Sequence, residues 1–300
     1  MEYVIGIDVG GTNFRIGAVS NDGQVVGFEQ KYTSSVVTGD VVESFVAEIK
    51  SYIYRNDLFG KVEALVIGLP SVVSKDKSYV YNTPNLKGID NIDLGNELSK
   101  CLELKVIIER DVNLLLYHDI EKYNLDKERK KTVLGFYIGT GFGNAIYIEG
   151  KSYKGSNGSA GELGHIPMYG LDEKCPCGNT GCIEIRCSGK YLLQLVSENF
   201  KDTNIDNVFT LHRDHSIIVD YVKSLAIPIV TEVNILDPDI IILSGGVLFT
   251  KDFPKELLLH EIQNKLRKPY PYINLKIVFA EHNQDSGVIG GASYFKNLKV

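Results

Sequence analysis

The chain has 300 residues, 44% apolar and 23% charged, with a formal net charge of −6. That composition fits one large α/β domain or two modest ones, each able to bury a full core. It leaves no basic footprint for nucleic acid and no apolar run near the roughly 20 residues of a membrane span.

The N-terminal residues Met1, Glu2, Tyr3 and Val4 lead straight into an apolar run, with no basic and then apolar leader, so a cytoplasmic location is expected. The run Tyr3 to Asp8 reads as a strand, 9–13 as a turn, and 14–19 as a second strand by its alternation. Rossmann and P-loop fingerprints need a helix directly after their glycines; here the glycines join a hairpin. Apolar residues at Val42, Phe45, Val46, Ile49 and Ile53 predict a helix over 41–54. The runs 64–70 and 105–109 read as parallel core strands, and the charged stretch 126–131 as a solvated connection between halves. The hairpin unit then recurs: strand 133–138, loop 139–143, strand 144–148. A long helix over 217–235 should kink or break at Pro228 and stop near Asp237 and Pro238. The strand 240–243 ends at Ser244, Gly245, Gly246 and Val247. Two glycine-threonine hairpins, one per half, suggest a duplicated domain with a ligand clamped between the copies.

Glycine turns beside a small hydroxyl suit phosphate, because backbone N–H groups can approach it where no Cβ intervenes. Gly10, Gly11, Thr12 and Asn13 form one such loop, and Gly139, Thr140 and Gly141 the other, with Gly245 and Gly246 as a third element. Asp8, at the tip of its strand, is placed to hold a hydrated Mg²⁺. A tight hairpin turn is the plainer reading of each loop taken alone. Of five cysteines, Cys175, Cys177 and Cys182 cluster, and Cys101 and Cys187 stand apart. With His165 the cluster supplies four ligands for a closed, structural Zn²⁺ site; the competing reading is three buried thiols. The loop would hold Glu162, His165 and Glu184 together, and carboxylates beside an imidazole suit vicinal sugar hydroxyls, although surface salt bridges suit the two acids equally. Asp111, after the strand 105–109 and before a helix, faces the ligand side of an open α/β sheet; as a lone acid it reads more readily as a helix N-cap. The remaining histidines, His118, His212, His215, His260 and His282, receive no role.

Taken together, Asp8 to Asn13, 139–143, 161–165, the cysteine block through Cys182, Ile183 and Glu184, and 243–246 resemble the ROK family of repressors, open reading frames and sugar kinases over essentially the full chain. The resemblance implies the actin-like ATPase (ribonuclease H-like) fold, with two α/β domains flanking a cleft: 1–112 plus 288–300, and 113–287 with the zinc loop. It implies ATP, Mg²⁺ and structural zinc, a hexose phosphorylated at its 6-hydroxyl, and a homodimer. By that resemblance Asp111 is the catalytic base, Asn85, Arg110, Asp111, Glu162, His165 and Glu184 hold the sugar, and Gly245 and Gly246 sit at the nucleotide end. The stretch 68–77 with Thr83, Pro84, Asn85 and Leu86 is similar to the D-allose kinases of the family. Ser71 stands where many of its glucokinases have glycine, and Arg110 replaces an asparagine that commonly touches sugar. Glucose and N-acetylmannosamine remain alternatives. A repressor is the rival from another class, set against by the immediate first strand and the lack of a basic recognition helix. A non-catalytic sugar sensor is set against by the two phosphate loops and Asp111.

Overall fold

The computed structural model describes residues 2–83, 86 and 88–299. It divides into two compact units: Met1–Lys127 with Gly150–Ala160 and His282–Val300, and Glu128–Glu149 with Gly161–Glu281. No helix among the described residues is long and apolar enough to cross a membrane.

The first unit holds strands β1 (Tyr3–Val9), β2 (Asn13–Ser20) and β3 (Val25–Tyr32), helices α1 (Thr33–Val36) and α2 (Val41–Arg55), then β4 (Val62–Leu69), β5 (Val72–Val73), β6 (Val80–Asn82), α3 (Leu94–Leu102), β7 (Lys105–Arg110) and α4 (Asp111–Lys122). Its sheet runs β3-β2-β1-β4-β7, antiparallel through the first three strands and parallel through the last three. β1 lies inside this sheet and buries Ile5, Ile7 and Val9 completely, which accounts for its nearly unbroken apolar sequence. Asp40 caps α2 by accepting the Glu43 N–H at 2.9 Å, and the helix sets Phe45, Ile49 and Tyr52 into the core.

In the second unit β8 (Thr132–Ile138) pairs antiparallel with β9 (Phe142–Ile148). After β10 (Lys151–Ser152), which falls in the first unit's 150–160 segment, come α5 (Gly189–Asn199), α6 (Val208–His212), α7 (Ser216–Leu236), β11 (Ile240–Ser244), α8 (Lys255–Lys265) and β12 (Lys276–Phe279) of the second. β9, β8, β11 and β12 are neighbours in that order, with β8, β11 and β12 parallel. The succession repeats that of β2, β1, β4 and β7, so the two glycine hairpins occupy equivalent places in two similar sheets. The last helix, α9 (Ser286–Leu298), belongs to the first unit, where it packs on β1 and α4.

Of the kink or break expected at Pro228, the break does not occur. α7 runs unbroken from Ser216 to Leu236 with Pro228 inside it. Proline removes the N–H that would serve the carbonyl four residues earlier, Ser224. The Cys187 thiol donates to that carbonyl at 3.3 Å. The freed acceptor therefore has a partner from outside the helix, and the chain continues.

Candidate functional site

In the first unit the loop between β1 and β2 is drawn tight by its own backbone. Gly10 N–H donates to Asn13 O at 2.8 Å, and Thr33 secures the loop from below, its hydroxyl to Gly10 O at 2.7 Å and its N–H to Thr12 O at 2.9 Å. The Asn13 amide oxygen accepts from Gln30 Nε2 at 3.3 Å. None of the described residues accepts from the exposed N–H groups of Gly11 and Thr12, which leaves two successive donors for an anion. Asp8, just before the loop, takes Arg15 Nη1 on Oδ2 at 2.9 Å. Burial raises the Asp8 carboxyl above its ordinary range, and Arg15 opposes this only in part.

The second loop is built alike. Gly139 N–H donates to Gly141 O at 3.1 Å, while Gly189 and Lys190, the first residues of α5, donate to Gly139 O and Thr140 O at 2.8 and 3.1 Å. None of the described residues accepts from the N–H groups of Thr140 and Gly141. Glu184 lies under the loop, its Oε2 accepting Phe142 N–H at 2.7 Å. A Cβ on Gly141 would sit 2.5 Å from that oxygen, so a larger residue there would displace the Glu184 carboxylate. Gly245, with φ of +104°, turns the chain at the end of β11 against the Ile138 backbone. Val247 N–H closes the contact on Ile138 O at 3.1 Å. The second unit thus gathers Gly139, Thr140, Gly141, Glu184, Gly245 and Gly246 around one strand end.

Asp111 is the first residue of α4 rather than its cap, which is Arg110. Its Oδ1 accepts Val112 N–H at 2.8 Å. Arg110 is buried, with Nη1 on Ala160 O at 2.5 Å. Asn85 lies outside the described residues.

The cysteine loop folds by Gly178 N–H to Cys175 O at 3.0 Å and Cys175 N–H to Asn179 O at 2.8 Å. Cys177 and Cys182 sulfurs stand 3.6 Å apart, and Cys175 Sγ stands 3.7 Å from His165 Nδ1. Tetrahedral zinc with ordinary bond lengths places two sulfurs about 3.8 Å apart, and a sulfur and a nitrogen about 3.6 Å apart. All four donor atoms lie within 4.8 Å of one another. Burial, then the neighbouring thiols, push Cys182 up to about 12; a cation is what such a cluster needs to hold thiolates. The donor set and its spacing fit zinc. His165 Nε2 faces Glu162 Oε2 at 3.8 Å, so one imidazole touches both the cysteine cluster and a candidate sugar ligand.

Sequence reasoning missed a cluster beside Asp111. The Glu109 side chain, 1% exposed, receives Lys77 Nζ at 2.7 Å and Lys154 Nζ at 3.2 Å on Oε2. Its Oε1 accepts Arg110 N–H at 3.0 Å and Asn113 Nδ2 at 2.9 Å. Lys154 donates to Tyr294 Oη at 2.6 Å. Glu109 therefore holds the strand-to-helix corner that carries Asp111. The available signal was an acid closing the apolar strand Val106, Ile107, Ile108, which had to find a cation; its partners are too far along the chain to be read from spacing.

The sequence model of the ROK family matches residues 4–297. The chain belongs to the ROK family. A relative, the N-acetyl-D-glucosamine kinase of Photobacterium profundum, is 31% identical over 316 residues, covering 98% of this chain and 99% of its own. The glucokinase of Thermotoga maritima is 25% identical over 319 residues, covering 98% and 97%. Among solved structures, a ROK family glucokinase from Streptomyces griseus in complex with glucose and AMPPNP superposes with a TM-score of 0.74 at 24% identity, over 97% of this chain and 98% of that one. The ROK chain described here thus has the expected α/β fold, that of the actin-like ATPases.

Proposed function

We propose that this ROK protein is an ATP-dependent sugar kinase that phosphorylates the 6-hydroxyl of a hexose, with D-allose as its substrate. The observation that carries the reading is the pair of equivalent glycine hairpins, each offering two successive N–H groups to an anion. Two named sugar kinases that align with the chain from end to end support it.

Phosphoryl transfer depends on positioning and on neutralising charge. The donors at Gly11 and Thr12, and at Thr140 and Gly141, are assigned to ATP phosphates, with Asn13, Gly139, Gly245 and Gly246 shaping the loops. Asp8 is the residue that would hold hydrated Mg²⁺, which when bound neutralises phosphate charge; a carboxylate whose ionisation burial disfavours gains from a nearby dication. Asp111, at the start of α4, accepts the proton of the attacking hydroxyl. Asn85, Arg110, Glu162, His165 and Glu184 are assigned to sugar hydroxyls. Zinc, held by His165, Cys175, Cys177 and Cys182, would lock the loop that bears Glu162 and Glu184, and fills its coordination without an open position for hydrolysis.

Allose rests on Arg110 and on the stretch through Ser71. Arg110 places a guanidinium beside Asp111, where the common ROK residue is an asparagine, and on this reading it shifts which epimer at C3 is favoured. The test is ATP consumption by the purified protein with D-allose, D-glucose, N-acetylglucosamine, N-acetylmannosamine and D-fructose. Asp111→Asn is expected to lower turnover by roughly 10²–10⁴-fold. Preference for glucose or an N-acetylhexosamine would keep the kinase and discard allose. Failure with all five, and then with a wider sugar panel, would discard the kinase.

A further inference from the structure

Two histidines without a role in the kinase reading meet on one carboxylate. His118 Nδ1 lies 3.0 Å from Asp119 Oδ1, and His282 Nε2 lies 2.8 and 3.0 Å from Asp119 Oδ1 and Oδ2. All three residues belong to the first unit, whereas the cysteine cluster is in the second. We propose that His118, Asp119 and His282 form a further metal site, for a borderline dication such as Zn²⁺ or Co²⁺, with at least one coordination position open to water.

The donor set is two imidazole nitrogens and a carboxylate oxygen, which suits these ions. Ligand atoms about 2.0–2.1 Å from one metal stand roughly 2.9 Å apart in octahedral geometry and roughly 3.4 Å apart in tetrahedral geometry. The nitrogen–oxygen separations fall at the octahedral end, and the three donor atoms lie within 4.8 Å of one another. Asp119 is fully buried and the His118 side chain 6% exposed, while His282 keeps 16%, enough for an ion to enter. The imidazole rings stand edge to face with centroids 5.6 Å apart. With both rings neutral, the cluster buries an anion; with both protonated, it presses two cations together. One dication bound by two neutral rings and the carboxylate meets neither difficulty. A single proton shared with Asp119 is the competing solution, and the experiment separates the two.

The location gives such an ion something to do. His118 and Asp119 ride on α4, the helix that starts at Asp111, and His282 precedes α9, whose Gly287 packs against Asp8. An ion there ties α4 to the approach of α9, and its loss would loosen that corner.

Equilibrium dialysis of the full chain against Zn²⁺, with metal counted per chain, is expected to give two equivalents in wild type and one in His282→Gln and in Asp119→Asn. Loaded with Co²⁺ instead, His282→Gln is expected to retain the thiolate-to-cobalt charge-transfer band and to lose only part of the ligand-field absorption. His282 is part-exposed in a loop, so its variant should fold, and the wild-type count stands independently of it. One equivalent in wild type, or two in a folded His282→Gln, overturns the proposal in favour of the proton-sharing cluster.

Discussion

A carboxylate withdrawn from water between two ammonium groups is held by them, and they by it. Burial alone would raise Glu109, but Lys77 and Lys154 more than reverse this and hold it at about 2. Its folded value thus lies below its ordinary 4.5. The stability it contributes is present above pH 4.5 and is lost as pH falls from 4.5 towards 2. Burial in turn lowers Lys77 to about 8, so part of this gain is offset at the lysine. Glu109→Gln leaves both lysines without their shared anion, and should lower neutral-pH stability by roughly 3–5 kcal/mol. Denaturant unfolding between pH 2.5 and 7 should show a flatter acid limb in the variant; parallel limbs would mean that Glu109 ionises alike in the folded and unfolded chains. Individual residues differ sharply in how far the sequence exposes them. Gly10, Gly11 and Thr12 were legible as a turn because a tight hairpin writes its backbone requirement into adjacent positions. The cysteine cluster was legible for the same reason. Glu109, Lys77 and Lys154 were not, since tertiary folding alone makes them neighbours.

At the level of elements, strength of periodicity decided what could be read. β1, β4, β7 and β11 are buried strands and stood out as apolar runs. β3 is only half-buried along its length and carries Glu29, Gln30 and Lys31, so its strand signal was too weak to notice. The uninterrupted α7 has another origin. The carbonyl that Pro228 leaves without its N–H is served by a thiol outside the helix, and no local pattern announces that. Burial pushes the Cys187 thiol up to about 12, so it remains a proton donor across the working range. Cys187→Ala should cost about 1–2 kcal/mol by orphaning Ser224 O and removing packing. The cost should shrink in a Pro228→Ala background, where the helix regains its own N–H for that carbonyl. A double-mutant cycle from denaturant unfolding measures the coupling; additive losses would show that the thiol merely fills space.

For the whole molecule, the two units invite separate questions about metal. If the cysteine loop holds zinc as proposed, a strong chelator should reduce hydrogen-exchange protection over 161–187 and also at 139–142, because Glu184 links that loop to Phe142 N–H. In the first unit the sheet of β1, β4 and β7 should keep its protection, with any loss confined to the corner of His118, Asp119 and His282 between α4 and α9. Equal loss in both units, or none in either, would contradict this placement of the metal's influence. The duplicated plan was legible in the two hairpins, but the path of the chain through it was not: Gly150–Ala160 leaves the second unit's sequence to serve the first, with Lys154 on Glu109 and Ala160 on Arg110. That path bears on how the protein is made. The chain passes between units after 127, 149, 160 and 281, so neither unit is a contiguous stretch that a ribosome could release finished. α9, which packs against β1, emerges after nearly everything else, and a nascent first unit must wait with β1 and α4 uncovered until the second has been synthesised. Expression of either half alone should therefore yield an incomplete core rather than a smaller protein.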